Sequence, residues 1–217
     1  LNLTNDLLNR GTIAGRHIVS LTAENINNLG GRIQSHEVGM AARTDLNNIG
    51  GAITANNHLI ALAQRDLNIT TTTHTQNNAQ GSQTNIARVA GLYVTGNNGT
   101  LLASANRDIN LIAAAIKNAA PISVDTTHTT THTNQNHTTT PTGNTTLTAG
   151  HHLNLGTVTQ SNNNRIVWNP HNHRSDASKT DIGTTIQTQG QLTLQAGNDL
   201  HAKAAHITTT QGALLAR

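Results

Sequence analysis

Short runs of alternating aliphatic and polar residues recur along the chain, as in Leu192-Thr193-Leu194-Gln195-Ala196 and Ile109-Asn110-Leu111. A period of two puts every second side chain on one face, the pattern of a half-buried strand rather than of a helix. Gly, Asn and Asp separate the runs, and these are the residues of tight turns. The register of the runs is more telling than any one of them. Ala-x-x-Asp, then an aliphatic residue and Asn, occurs at 42–47, 63–68 and 105–110, and at 196–201 with His in the last place. The stretch Ala149-Gly150-His151-His152-Leu153-Asn154 puts His where the others have Asp, and the first copy, Ala23 to Asn27, is one residue shorter. Asp45, Asp66, Asp108, His152 and Asp199 advance by 21, 42, 44 and 47 residues, one or two repeats at a time. Gly11, Gly31 and Gly51 keep a step of 20, each followed two residues later by Ile13, Ile33 and Ile53. Six residues before the repeated Ala stand His17, His36 and Asn57, and further on Gly99, Gly143 and Gly190.

A repeat of about 20 residues built from strand-formers predicts stacked coils, each of two or three short strands. Equivalent strands then pair at ~4.8 Å, and the interior becomes ladders of like aliphatic residues. Aligned Asn residues at the turns are placed to form amide ladders. Asp45, Asp66, Asp108 and Asp199, with Gly31, Gly51 and Gly190, are predicted as turn residues, the carboxylates accepting backbone N–H groups. No coil buries its apolar face alone, so stability is expected to be a sum over neighbour interfaces. About ten coils would make a rod on the order of 50 Å long, with ends open to end-to-end stacking.

Two sections are expected: regular 20-residue coils over 1–60, and coils with polar excursions over 61–217. The excursions fall at about 70–85, 126–142 and 160–181, and are read as loops or as strands extending one face in a hairpin. All three prolines, Pro121, Pro141 and Pro170, lie at or inside the last two, in keeping with exclusion of Pro from central strands.

Composition sharpens this picture. Only 11% of the 217 residues are charged and Phe is absent, leaving Trp168 and Tyr93 as the aromatic residues; a typical domain has about 25% charged residues. The core must therefore be built from Leu, Ile, Val and Ala. The net charge of +3 comes from 13 basic and 10 acidic residues scattered singly, so no nucleic-acid partner is expected. With no cysteine, disulfides, thiolate metal sites and Cys nucleophiles are excluded. No apolar run approaches the ~20 residues of a membrane-spanning helix. The opening Leu1-Asn2-Leu3 begins in mid-pattern, and the chain reads as a piece of a longer protein.

The segment Asp45-Leu46-Asn47-Asn48-Ile49-Gly50-Gly51-Ala52-Ile53 resembles the shorter haemagglutinin repeat of filamentous haemagglutinins and contact-dependent growth-inhibition proteins. Gly190-Gln191-Leu192-Thr193-Leu194-Gln195-Ala196-Gly197-Asn198-Asp199-Leu200 is similar to their second, longer repeat class, as are Arg88 to Val94 and the stretch from Trp168 to Arg174. The resemblance implies an all-β, right-handed parallel β-helix (β-solenoid). It also implies a large exoprotein exported through an outer-membrane two-partner transporter. At the Gram-negative cell surface this would serve as an adhesin or as the stalk that carries a toxin.

Candidate chemistry is sparse. His128 and His132, with His137, His151-His152 and His171/His173, suggest a surface metal site. Their spacing matches no closed zinc motif, so exposed polar positions are the reading adopted, with no metal and no cofactor expected. The recurring Asp residues are explained by turns, and the acid–base cluster of carbohydrate-cleaving β-helices is missing; no enzyme is expected. Trp168, flanked by Arg165 and Arg174, either contacts a cell-surface receptor or glycan or caps the groove of the β-helix.

Overall fold

The computed structural model describes residues 1–118, 143–169, 171–210 and 212–216. Those residues form an all-β molecule of three sheets, two parallel and one antiparallel, with no helix. The chain alternates between the two parallel sheets and returns to each one repeat later. One such return is called a rung below.

The first rung is β1 (Leu7–Asn9), β2 (Thr12–Ala14) and β3 (Ile18–Ala23). The second is β4 (Ile26–Leu29) and β5 (Arg32–Ala42), and the third β6 (Leu46–Ile49) and β7 (Ala52–Ala63). The fourth runs from β8 (Leu67–Thr70) through a hairpin, β9 (Thr72–Asn78) and β10 (Gly81–Arg88), to β11 (Gly91–Val94) and β12 (Thr100–Ala105). The fifth has β13 (Ile109–Ile112), β14 (Ala115–Asn118) and β15 (Thr145–Ala149). The sixth has β16 (His152–Gly156), a second hairpin of β17 (Val158–Asn169) and β18 (Asn172–Ile182), then β19 (Thr185–Thr188) and β20 (Leu192–Ala196). The seventh closes with β21 (Asp199–Ala202), β22 (His206–Thr209) and β23 (Leu214–Ala216).

One parallel sheet stacks β1-β4-β6-β8-β13-β16-β21 in order. The other holds two ladders side by side, joined where the long strands β5 and β7 run through both. Between them the register shifts from Ser35/Ala55 to Glu37/His58, so Asn56 and Asn57 oppose His36 alone. This bulge bends the strand, and it is what the His36/Asn57 landmark marks.

Alternation puts like residues in columns. Ile26, Leu46, Leu67, Ile109 and Leu153 pair in series and are fully buried. Ile33, Ile53, Leu92, Ile116 and Ile186 form a second column, and Ala23, Ala42, Ala63, Ala105, Ala149 and Ala196 a third. Burial of each Leu or Ile contributes roughly 1.5–3 kcal/mol, and because each column crosses at least five of the seven rungs the contribution recurs rung by rung. The ladders run through residue 60 without interruption; what changes beyond it is the appearance of hairpins. The described residues make seven rungs rather than about ten, because the hairpins consume chain without adding to the stack. At ~4.8 Å per step the stack is roughly 30 Å long.

The excursions near 70–85 and 160–181 are strands, not loops. Both hairpins leave the same corner, between a strand of the first sheet and the first strand of the second, one on rung four and one on rung six. Rung five makes that corner with Ala113-Ala114 alone, Ala113 taking φ +48°. The hairpins pair with each other, Gly81–Thr84 against Ser161–Asn164, giving the antiparallel order β18-β17-β10-β9. The excursion at 126–142, with His128 and His132, lies outside the described residues.

Candidate functional site

The turns that end rungs two, three, four and six carry the repeated Asp. The Oδ1 of Asp45 accepts the backbone N–H of Asp66 at 3.2 Å, that of Asp66 accepts from Asp108 at 3.3 Å, and that of Asp108 from His152 at 3.1 Å. Each carboxylate therefore satisfies the next rung rather than its own turn. Arg65 also grips Asp45 with two N–H groups, Nε to Oδ1 at 2.8 Å and Nη2 to Oδ2, and Arg107 grips Asp66 in the same way. The Arg65 hydrogen bond holds the Asp45 carboxyl below the usual carboxylate range; burial opposes this and the Asp66 N–H adds to it. In return, Asp45 raises the Arg65 guanidinium and Asp66 that of Arg107. With both oxygens engaged, these carboxylates brace the stack.

Two Asn ladders flank the Asp column. Outside, Asn47 donates to Asn27, Asn68 to Asn47, Asn110 to Asn68 and Asn154 to Asn110, at 2.8–2.9 Å. Inside and buried, Asn9 donates to Asn28 at 2.8 Å and Asn28 to Asn48 at 2.7 Å. Asn28 and Asn48 also donate to the carbonyls of Gly31 and Gly51, at 3.1 and 2.9 Å. A Cβ on Gly31 would lie 2.5 Å from both Asn28 Oδ1 and Asn9 Nδ2, and one on Gly51 2.3 Å from Asn28 Nδ2. Glycine at these positions makes room for the carboxamides. Gly190 stacks on Gly143, its N–H donating to the Gly143 carbonyl at 3.2 Å.

The antiparallel sheet is solvated on both faces; nearly every residue of β9 and β18 is exposed. Its bases are fixed to the stack. The buried Thr71 hydroxyl donates to the Ala113 carbonyl and accepts the Ala90 N–H, while Arg88 reaches the Gly30 carbonyl at 2.7 Å. Thr184, fully buried, donates to the Leu111 carbonyl at 2.6 Å and accepts the Ala114 N–H. Asp181 accepts from the Thr159 hydroxyl at 2.6 Å and pairs with Lys203 at 2.9 Å, and these two contacts lower its pKa.

Trp168 stands at the tip of the second hairpin, in the register shift between Val167 and Asn169, and is 61% exposed. Val167 and Ile166 beside it are exposed too. Trp168 therefore caps no groove. Arg165 lies three residues back, opposite Ser175, and its N–H binds the Gln80 carbonyl of the first hairpin. Arg174 opposes Ile166 and is turned to Asp176, Nε to Oδ2 at 2.7 Å. The three residues share one hairpin end without forming a closed site.

Comparison with known families finds the hemagglutinin repeat over residues 80–216, well over half of the chain. The chain belongs to the hemagglutinin repeat family. No curated protein and no solved structure matches it. The family is one of structural, adhesin-like segments of large exoproteins, secreted or held at the cell surface. In this hemagglutinin repeat segment, sequence reasoning missed two things. One is the pairing of the hairpins. The other is a cluster at the end of the first sheet, where His152, Asp199 and His201 bring one possible metal-ligand atom each within 4.8 Å of one another. The sequence signal was available: His replaces Asp at one step of the Asp column and Asn at the next step of the Asn column.

Proposed function

We propose that the two parallel sheets are walls of a right-handed parallel β-helix that acts as a rigid, non-catalytic stalk. The parent would be a filamentous haemagglutinin-like adhesin or a contact-dependent growth-inhibition toxin carrier. It would be exported through an outer-membrane two-partner transporter and displayed on a Gram-negative cell. The observation that carries this reading is the continuity of the columns. From the second rung to the sixth, aliphatic residues, Asn amides and Asp carboxylates hold one rung to the next. Shared between rungs, these groups give stiffness and reach.

A second reading rests on the projecting sheet. Its two solvated faces and the exposed Ile166, Val167 and Trp168 at its tip suit contact with a receptor or glycan. Rung five supplies the experiment, since it turns the same corner with two alanines. Replacing residues 157–183 of the parent exoprotein by a single Ala removes the second hairpin and keeps the buried Thr184 and the stack. The stalk reading expects adhesion or toxin delivery to persist, whereas Leu111→Asp, which breaks the core, abolishes it. Loss of adhesion in the hairpin-less protein, with strand content and melting intact, would overturn the stalk reading in favour of recognition by the hairpin.

A further inference from the structure

The pattern of the first sheet's outer surface changes at its last two rungs. At the turn position and two residues later, rung two has Asn25 and Asn27, rung three Asp45 and Asn47, rung four Asp66 and Asn68, and rung five Asp108 and Asn110. Rung six has His152 and Asn154, and rung seven Asp199 and His201. His152 pairs directly with Asp199 across the ladder, and Asn154 with His201. Leu153 and Leu200 between them pack toward the core, so alternation sends His152, Asp199 and His201 to the same outer face.

The geometry points to a binding site for a divalent transition-metal ion of the zinc class, held by His152, Asp199 and His201 across the last two rungs. The Nδ1 of His152 lies 3.5 Å from Asp199 Oδ2, and the Nε2 of His201 lies 4.0 Å from the same oxygen. Ligand atoms around a tetrahedral ion with bonds of ~2.1 Å are about 3.4 Å apart. Small rotations of the exposed Asp199 and His201 side chains close the remaining gap. Two imidazoles and one carboxylate form a borderline donor set that suits zinc, nickel or copper rather than calcium.

One observation sets this cluster apart from an ordinary exposed acid among histidines. The His152 Nδ1 is shielded from solvent and has no hydrogen-bond partner, although a buried polar atom normally has one; a metal ion would satisfy it. Asp199 Oδ2 faces both imidazoles. Asp108 already gives its Oδ1 to the N–H of the following rung, where His151 stands in the Arg position; the same arrangement at Asp199 leaves Oδ2 to a metal. Bound there, the ion would join β16 to β21 and reinforce the stack where the Asn ladder gives way to His.

The test is zinc chloride titration of the whole 217-residue chain by calorimetry, with cobalt(II) absorption reporting the ligand geometry. The comparison variant is His152→Asn/His201→Asn, which gives rung six the Asn–Asn pattern of rung two and rung seven the Asp–Asn pattern of rungs three to five. We expect one saturable site per chain, a d–d absorption of low-symmetry cobalt, and a zinc-induced rise in melting temperature. In the double variant the Kd should weaken at least tenfold and the thermal shift should disappear, with the strand signal unchanged. Asp199→Asn should also weaken binding at least tenfold. Absence of a saturable site would overturn the assignment. So would a site that survives in the double variant and vanishes instead in His128→Ala/His132→Ala/His137→Ala.

Discussion

Gly31→Ala is the most informative single substitution in the stack, because it adds one methyl group to a backbone that can accept it. Gly31 does not sit at positive φ, so the cost comes from what the Cβ meets: Asn28 Oδ1 and Asn9 Nδ2, both at 2.5 Å. Both Asn side chains are buried, so the new methyl must displace carboxamides that cannot turn to water. The bonds at risk are Asn9 to Asn28 at 2.8 Å and Asn28 to the Gly31 carbonyl at 3.1 Å. Two such bonds contribute about 1 kcal/mol each, and buried amide groups left without partners cost roughly 1–3 kcal/mol more. Reduced freedom of the unfolded chain returns about 0.4–1 kcal/mol. The expected loss is about 2–4 kcal/mol. Asn28→Ala should cost a similar amount. Because it removes one of the groups that the new methyl strikes, the double variant should fall at least about 1 kcal/mol short of the sum. Urea denaturation followed by circular dichroism measures all three. Native-state hydrogen exchange over the first three rungs guards against stepwise unfolding of the stack. A Gly31→Ala cost below about 0.5 kcal/mol, or simple additivity in the cycle, would refute the reasoning that glycine is there for the Asn ladder.

Three further outcomes follow from the same geometry. Ala113 holds φ +48° at the corner of rung five, so Ala113→Gly should stabilise by about 1 kcal/mol; a fall in the urea midpoint would contradict this. Thr184→Val keeps the shape of a fully buried side chain but removes the hydroxyl that binds the Leu111 carbonyl and the Ala114 N–H. It should cost about 2–3 kcal/mol in the same denaturation assay. Arg65→Ala should destabilise only slightly at neutral pH, since the guanidinium is half exposed. Because Arg65 depresses the Asp45 pKa, that contribution is present above the unfolded carboxyl value of about 3.9. It is lost as pH falls through the depressed folded value, so the stability curves of the two proteins should converge in acid.

The stack was legible in the sequence because its residues repeat for a reason that acts between rungs. A Leu above a Leu, or an Asn above an Asn, is a direct statement of register, and Asp45, Asp66, Asp108 and His152 are spaced as the ladder pairs them. The hairpins were not legible to the same degree. Strands β10 and β17 are polar on both faces, so no buried face fixes which residue lies opposite which, and nothing in Asn162-Asn163-Asn164 announces Gly81-Ser82-Gln83 as its partner. Trp168 was visible as a lone aromatic residue, but its place at a hairpin tip depends on where the turn falls, which composition does not determine. The His152–Asp199–His201 cluster was hidden by reading histidines along the chain, since its members meet only through the pairing of β16 with β21.

The outer Asn ladder also has a direction. Every amide from Asn47 to Asn154 donates toward the N-terminal rung, and each Asp carboxylate from Asp45 to Asp108 accepts from the C-terminal side. A rung that has just formed therefore presents the next one with a carboxamide oxygen and a carboxylate oxygen already in position, both of them acceptors. The inner ladder runs the other way, Asn9 donating to Asn28 and Asn28 to Asn48, so the same rung presents the next with a donor inside. An open end of the stack thus carries a fixed pattern of acceptors and donors that an added rung satisfies only in one register.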